Sequence, residues 1–210
     1  MAHIKKNFIL SALILPVLFC SCIGVNADIT INPDNSGTVV LEYRISRILE
    51  ALGKQDGNER WLPVPSGKAD FERSLKRLPG MSLLSFSLKE DDSDIIVTVK
   101  LGFTDMDALV RFLDAYGDKA VFVRENASSR LTMILSEGGG GGDEDLETLF
   151  FGAAQGYTLD FTLNVPSSGT LKATRLPGGT VIESGKKLSC SMPLGEVLSS
   201  KEPVRMEWTW

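Results

Sequence analysis

The sequence predicts an α+β fold, an antiparallel sheet with two or three helices packed on one face, built as a single domain. Three observations lead there. Several short segments alternate apolar and polar side chains, as a half-buried strand must. A few others place apolar residues three and four apart, the spacing of one helix face. No repeat or long linker divides the chain: the run Gly138 to Gly142 is the one candidate boundary, and the strands after it have no evident core of their own.

The elements follow in order. Ile29 and Ile31 open a strand, Asn32-Pro33-Asp34-Asn35-Ser36-Gly37 is a strong turn signal, and Thr38 to Tyr43 returns as a strand. Ile45, Ile48, Leu49 and Leu52 then share a helical face, with Gly53 suited to its C-terminal end. After a loop carrying Trp61-Leu62-Pro63-Val64-Pro65, a helix is expected from Lys68 to Leu78, capped by Ser66 and stopped by Pro79-Gly80. Leu84, Phe86 and Leu88 alternate with polar neighbours, Asp91 to Asp94 turns the chain, and Ile95 to Leu101 pairs back. Thr104 is placed to cap a helix whose buried stripe is Met106, Leu109, Val110 and Leu113. Strands are expected at Ala120 to Arg124 and Leu131 to Leu135, then at Tyr157 to Val165, Thr170 to Leu176, Thr180 to Glu183, Lys187 to Met192 and Val204 to Trp210.

The amino-terminal residues speak to location. Lys5 and Lys6 precede an apolar run from Phe8 to Phe19, interrupted at Pro16. That run falls short of the roughly 20 residues that a comfortable membrane helix needs, but suits the core of a signal peptide. Phe19-Cys20-Ser21-Cys22 resembles a lipobox, the site read by lipoprotein signal peptidase. Ser21 supplies the small residue before the cleaved bond, whereas Cys20 follows the bulky Phe19. With Phe19 in place of the usual leucine, the box is similar to the relaxed ones of spirochaete lipoproteins. The expectation is therefore a signal peptide over 1–21, cleavage between Ser21 and Cys22, and acylation of Cys22. A tether over 22–28 and a domain over 29–210 would follow. Ile23 to Asp28 reach at most about 20 Å at ~3.3–3.6 Å per residue, so the domain would ride against its membrane. Two or more acyl chains give stable anchoring.

Processing changes the inventory. Losing Lys5 and Lys6 from 22 Lys+Arg leaves 20 against 27 Asp+Glu, a net charge of −7, and His3 leaves with them. The 210 residues less the 21 of the leader leave 189, enough for one large domain core. An acidic surface argues against nucleic acid as a partner. Without histidine, Ser-His and Cys-His nucleophile pairs and the usual zinc sites drop out. Cys190 is then the one thiol beyond Cys22 and reads as a buried strand residue. Asp91-Asp92-Ser93-Asp94 lacks the glycine and the distal glutamate of a calcium loop, and Ser184 with Lys186 lies in a turn. The glycines 138–142 are followed by acids that would repel a phosphate, so no metal or cofactor is expected. Leu146, Leu149, Phe150 and Phe151, beyond the glycine joint, form an apolar stripe that reads either as a mobile flap or docking element or as a permanently packed helix.

Asp28-Ile-Thr-Ile-Asn-Pro-Asp-Asn-Ser-Gly-Thr-Val-Val-Leu-Glu-Tyr43, close behind Cys22, resembles the start of the LppM-type bacterial lipoproteins. Leu78-Pro-Gly80, a hairpin, and Phe103-Thr-Asp105 opening a helix are similar in order, so the likeness runs over about Cys22 to Tyr116. It implies an α+β envelope domain for which lipid or glycolipid binding is proposed. The chain departs from that pattern in its glycine run and in ending on an amphipathic strand, where the family carries a membrane helix. No ligand residue carries over. Two readings of function stand: a non-enzymatic, lipid-anchored envelope protein holding a lipid or other apolar ligand, and a surface or periplasmic protein that binds host molecules or an envelope assembly.

Overall fold

The structure is a computed structural model, and it describes residues 23–47, 67–114, 118–125, 128–138, 154 and 156–210. Of these residues 55% are strand and 16% helix. The expected α+β class, one antiparallel sheet covered by helices, is therefore corrected to a β-rich fold of two sheets.

The larger sheet draws on seven strands. These are β1 (Ile23–Ile31), β2 (Gly37–Ser46), β3 (Met81–Glu90), β4 (Asp94–Phe103), β7 (Thr158–Asn164), β9 (Thr180–Ser184) and β10 (Lys187–Pro193), in the order β3-β4-β2-β1-β7-β10-β9. The smaller sheet holds β5 (Ala120–Glu125), β6 (Ser128–Ser136), β8 (Thr170–Ala173) and β11 (Val204–Thr209), in the order β5-β6-β11-β8. Neighbours are antiparallel except β1 and β7, which run parallel. That pair joins the two halves of the chain, and Asn164 reinforces it by donating its side-chain amide to Asp28 Oδ1 at 2.8 Å.

Why helices cannot cover the large sheet is a matter of size. The described helices are α1 (Lys68–Leu75), α2 (Met106–Leu113) and α3 (Leu194–Ser199). A helix of eight residues is about 12 Å long, whereas a ten-residue strand such as β2 or β4 extends for about 33 Å. The helices cover part of the apolar face. Phe71 of α1 packs on Tyr43 and Phe86, with ring centroids 6.4 and 5.9 Å away. The smaller sheet packs on it as well, with Trp208 of β11 edge-on to Phe161 of β7 at 6.5 Å. Inward residues of both sheets and the helices form one buried cluster, among them Ile29, Val97, Leu131, Leu163 and Met206. The outward side of the larger sheet is polar: Asn26, Glu42, Thr98, Asp160 and Ser191 stand side by side on five consecutive strands.

Several local expectations change with the register. Ile45, expected on a helix, continues β2 and pairs with Ile23, because the alternation Tyr43, Ile45 buries both side chains. The rest of that stripe, Ile48, Leu49 and Leu52, lies outside the described residues, as does Ser66. The first residue ahead of α1 is Gly67, with no side-chain cap. Asp105, not Thr104, caps α2: its carboxylate accepts from Ala108 N–H at 2.8 Å, and Thr104 Oγ1 donates to the same side chain. In β3 an irregularity between Leu83 and Ser85 moves Leu84 out of the alternation, leaving it 55% exposed. The strand expected over 170–176 ends at Ala173, and α3 was not expected at all.

Candidate functional site

The site residues expected from sequence lie outside the described residues. That holds for Ser21 and Cys22 and for Leu146, Leu149, Phe150 and Phe151. What the structure decides is what comes immediately after Cys22. β1 starts at Ile23 rather than near Ile29, and Ile23 to Asp28 pair in unbroken register with Ile45 to Val40. The strand start expected near Ile29 is thus corrected to Ile23. The alternation that signals it, Val25, Ala27, Ile29, Ile31, was legible only from its second half because the alanine is weakly apolar.

Beside that start lies a groove of about 490 Å³, lined by Gly24 and Asn26 of β1, Glu42 and Arg44 of β2, Asp94 of β4, Gly156 and Tyr157 just ahead of β7, and Thr158 and Asp160 within it. Its position follows from topology. β1, β4 and β7 begin at this end of the sheet and β2 finishes there, so their outward side chains converge. Tyr157 closes one side. Its ring sits over Gly24, where a Cβ would meet Cδ1 at 3.0 Å, and its hydroxyl donates to Asp94 Oδ1 at 2.9 Å. The absence of a side chain at position 24 is what lets the ring lie there.

The charged residues of the groove are placed by the register. Arg44 is opposite Gly24, while Glu42, one step farther from the start of β1, is opposite Asn26, which in turn is opposite Asp160. The backbone of Arg44 is therefore nearer the start of β1 than those of Glu42 and Asp160, about 7 Å along the strands, and Asp94, level with Ser46, is nearer still. Arg44 Nη2 is 3.5 Å from Glu42 Oε1. Thr98 donates to Glu42 Oε2 at 3.3 Å, and Thr158 to Asp160 Oδ2 at 2.7 Å. These hydroxyls hold the carboxylates in place while leaving them further lone pairs. The lining is polar, which does not suit an apolar ligand. Of these residues Asp94 alone stood out in the sequence, within the acidic turn 91–94; Gly24, Asn26, Glu42, Arg44 and Asp160 are ordinary outward strand positions supplied by three separate strands.

The other sequence candidates resolve as structural features. Asp91 turns its carboxylate back on its own loop, accepting from the N–H groups of Ser93 and Asp94 at 2.8 and 2.7 Å, and those bonds hold it below the usual aspartate range. Among the described residues no three acidic, histidine or cysteine side chains group as metal ligands. Ser184 and Lys186 flank the turn between β9 and β10, where Gly185 has φ +60°. Cys190 is a buried residue of β10 with no disulfide partner among the described residues. No described helix is long and apolar enough to cross a membrane. Comparison with protein-family models and with curated proteins finds no match.

Proposed function

We propose that this chain is a bacterial envelope lipoprotein, acylated at Cys22, whose non-enzymatic domain stands on the bilayer and presents a polar binding groove at its surface. One observation carries the reading: β1 is paired from Ile23, the residue after the lipobox. Acyl chains on Cys22 would leave no slack, so the bilayer would meet the end of the larger sheet from which the groove opens. The ligand is then polar, a headgroup rather than a tail. The signal features at Lys5, Lys6, Phe8 to Phe19 and Ser21 support the same location.

The test is the intact mass of the protein purified from bacterial membranes. A chain beginning at Cys22 and carrying acyl groups is expected, and Cys22→Ala should leave the protein unprocessed by lipoprotein signal peptidase. A mature chain cut elsewhere and released without detergent would refute the reading.

A further inference from the structure

We infer that the groove, with the sheet face that continues from it, binds an uncharged polysaccharide laid across the strands, one sugar unit held in the groove. The inference rests on the reading of the groove as a polar binding site and does not depend on acylation of Cys22. Its first support is what the lining can donate and accept. Glu42 accepts from Thr98 and lies 3.5 Å from Arg44, Asp160 accepts from Thr158, and Asp94 accepts from Tyr157. Each carboxylate keeps lone pairs for a further donor, and Arg44 keeps N–H groups for a further acceptor. Asn26, exposed between Glu42 and Asp160, offers both. An ammonium ligand only donates, so the N–H groups of Arg44 and Asn26 would face a cation. An anion brings acceptors and charge against three carboxylates. A hydroxyl donates and accepts at one atom, so neighbouring hydroxyls of a sugar ring satisfy both kinds of group together. The half-buried ring of Tyr157 gives the C–H face of that sugar an apolar wall.

The second support is the face beyond the groove. The row through Asn26, which runs from Thr98 to Ser191, is continued by Ser87 of β3 and Thr180 of β9, so it crosses all seven strands of the larger sheet. At ~4.8 Å per strand the row is about 29 Å long. Five of its seven side chains are uncharged hydroxyls or an amide, none is basic or aromatic, and none is buried. Short side chains keep that face level, and each hydroxyl or amide both donates and accepts, as a sugar does. A headgroup or a single sugar would fill the groove alone, whereas the row extending past it on both sides fits a chain of sugars.

The experiment uses the full-length protein, matured in bacterial membranes and purified in a detergent without sugar. It is titrated calorimetrically with four uncharged hexasaccharides (maltohexaose, cellohexaose, mannohexaose and chitohexaose) and with the matching disaccharides. At least one hexasaccharide should bind, about tenfold more tightly than its disaccharide. Asn26→Ala should weaken both by about tenfold, the loss expected for its hydrogen bonds. The double variant Ser87→Lys with Thr180→Lys, at the two ends of the row and outside the groove, should remove most of the gain from length and leave the disaccharide unchanged. All three positions face outward, and unchanged thermal melting would verify that the fold survives. Failure of all four hexasaccharides to bind overturns the inference, as does an Asn26→Ala protein that binds like the wild type. Equal affinity for hexasaccharide and disaccharide, or a double variant that keeps the full gain, would assign the groove to a single sugar or headgroup and also overturn it. Tighter binding of oligogalacturonate or of the glucosamine hexamer would show that charge, not hydroxyl pairing, selects the ligand. The intact mass of the same sample reads acylation separately. An unacylated chain that binds the hexasaccharide defeats only the anchoring, whereas an acylated chain that does not bind it defeats only the polysaccharide.

Discussion

Single residues at the hairpin and helix ends account for much of how the sheet closes. Gly37 begins β2 beneath the ring of Phe103: a Cβ there would lie 1.9 Å from the carbonyl oxygen of Thr30 and 2.4 Å from Phe103 Cζ. The backbone oxygen cannot step aside without breaking the β1–β2 ladder, so Gly37→Ala should cost about 3 kcal/mol. For a domain of this size that lowers Tm by roughly 10 °C, measurable by calorimetry. Asp105 caps α2, and its bonds from Ala108 N–H and then Thr104 hold its carboxyl below the ordinary 3.8. A depressed carboxylate stabilises the fold fully above that ordinary value and loses the effect as pH falls through its lower folded value. Asp105→Ala should therefore cost about 1 kcal/mol at neutral pH, and denaturant titrations in strong acid should show the gap to wild type closing. Cys190 moves the other way. Burial, and then the charge of Asp160, push its thiol up to about 11. In the native protein at about pH 8 it should resist iodoacetamide and react only after unfolding. Modification of the folded chain would contradict its place in β10.

At the scale of elements, pairing outweighs local preference. The segment around Ile45 has helical spacing, yet Arg44 and Ile45 are held by Gly24 and Ile23 of β1 on one side and by Ile96 and Ile95 of β4 on the other. Ladder hydrogen bonds on both edges and complete burial of Ile45 override a weak propensity. Among the described residues, the outer strands of the larger sheet differ in how they are guarded. β3 carries an irregularity at Leu83 and Ser85, and Lys89 near its end, both of which discourage further pairing. β9 carries neither, and Val181 and Ile182 are 46% and 62% exposed. Ile182→Lys should leave stability within about 0.5 kcal/mol and reduce aggregation on heating, as followed by light scattering. A variant that aggregates as fast as wild type would show that β9 is not the exposed template.

For the whole molecule, the parallel pairing of β1 with β7 and the contact of Phe161 with Trp208 tie early and late strands into one core. Phe161→Ala, which opens a cavity between the sheets, should cost about 3–5 kcal/mol. Hydrogen exchange should then rise together in β1, β7 and β11. Acceleration confined to the smaller sheet would mean that the two sheets open independently. Much of this was legible in the sequence. Alternation and turn residues located most of the strands, among them the β3–β4 hairpin and the β9–β10 pair, and the position of Cys190 identified it as buried. These are local properties, decided by a period of two and by which residues tolerate a tight turn. Helical spacing located α1 and α2 in the same way. The division into two sheets, the strand beginning at Ile23 and the groove of Asn26, Glu42, Arg44 and Asp160 were decided only by the tertiary structure. Each depends on which strands become neighbours, and β1 meets β7 across more than a hundred residues of chain. Periodicity along a strand specifies which face turns inward but carries no term for the partner, so the outward residues acquire a common site only after the sheet has assembled.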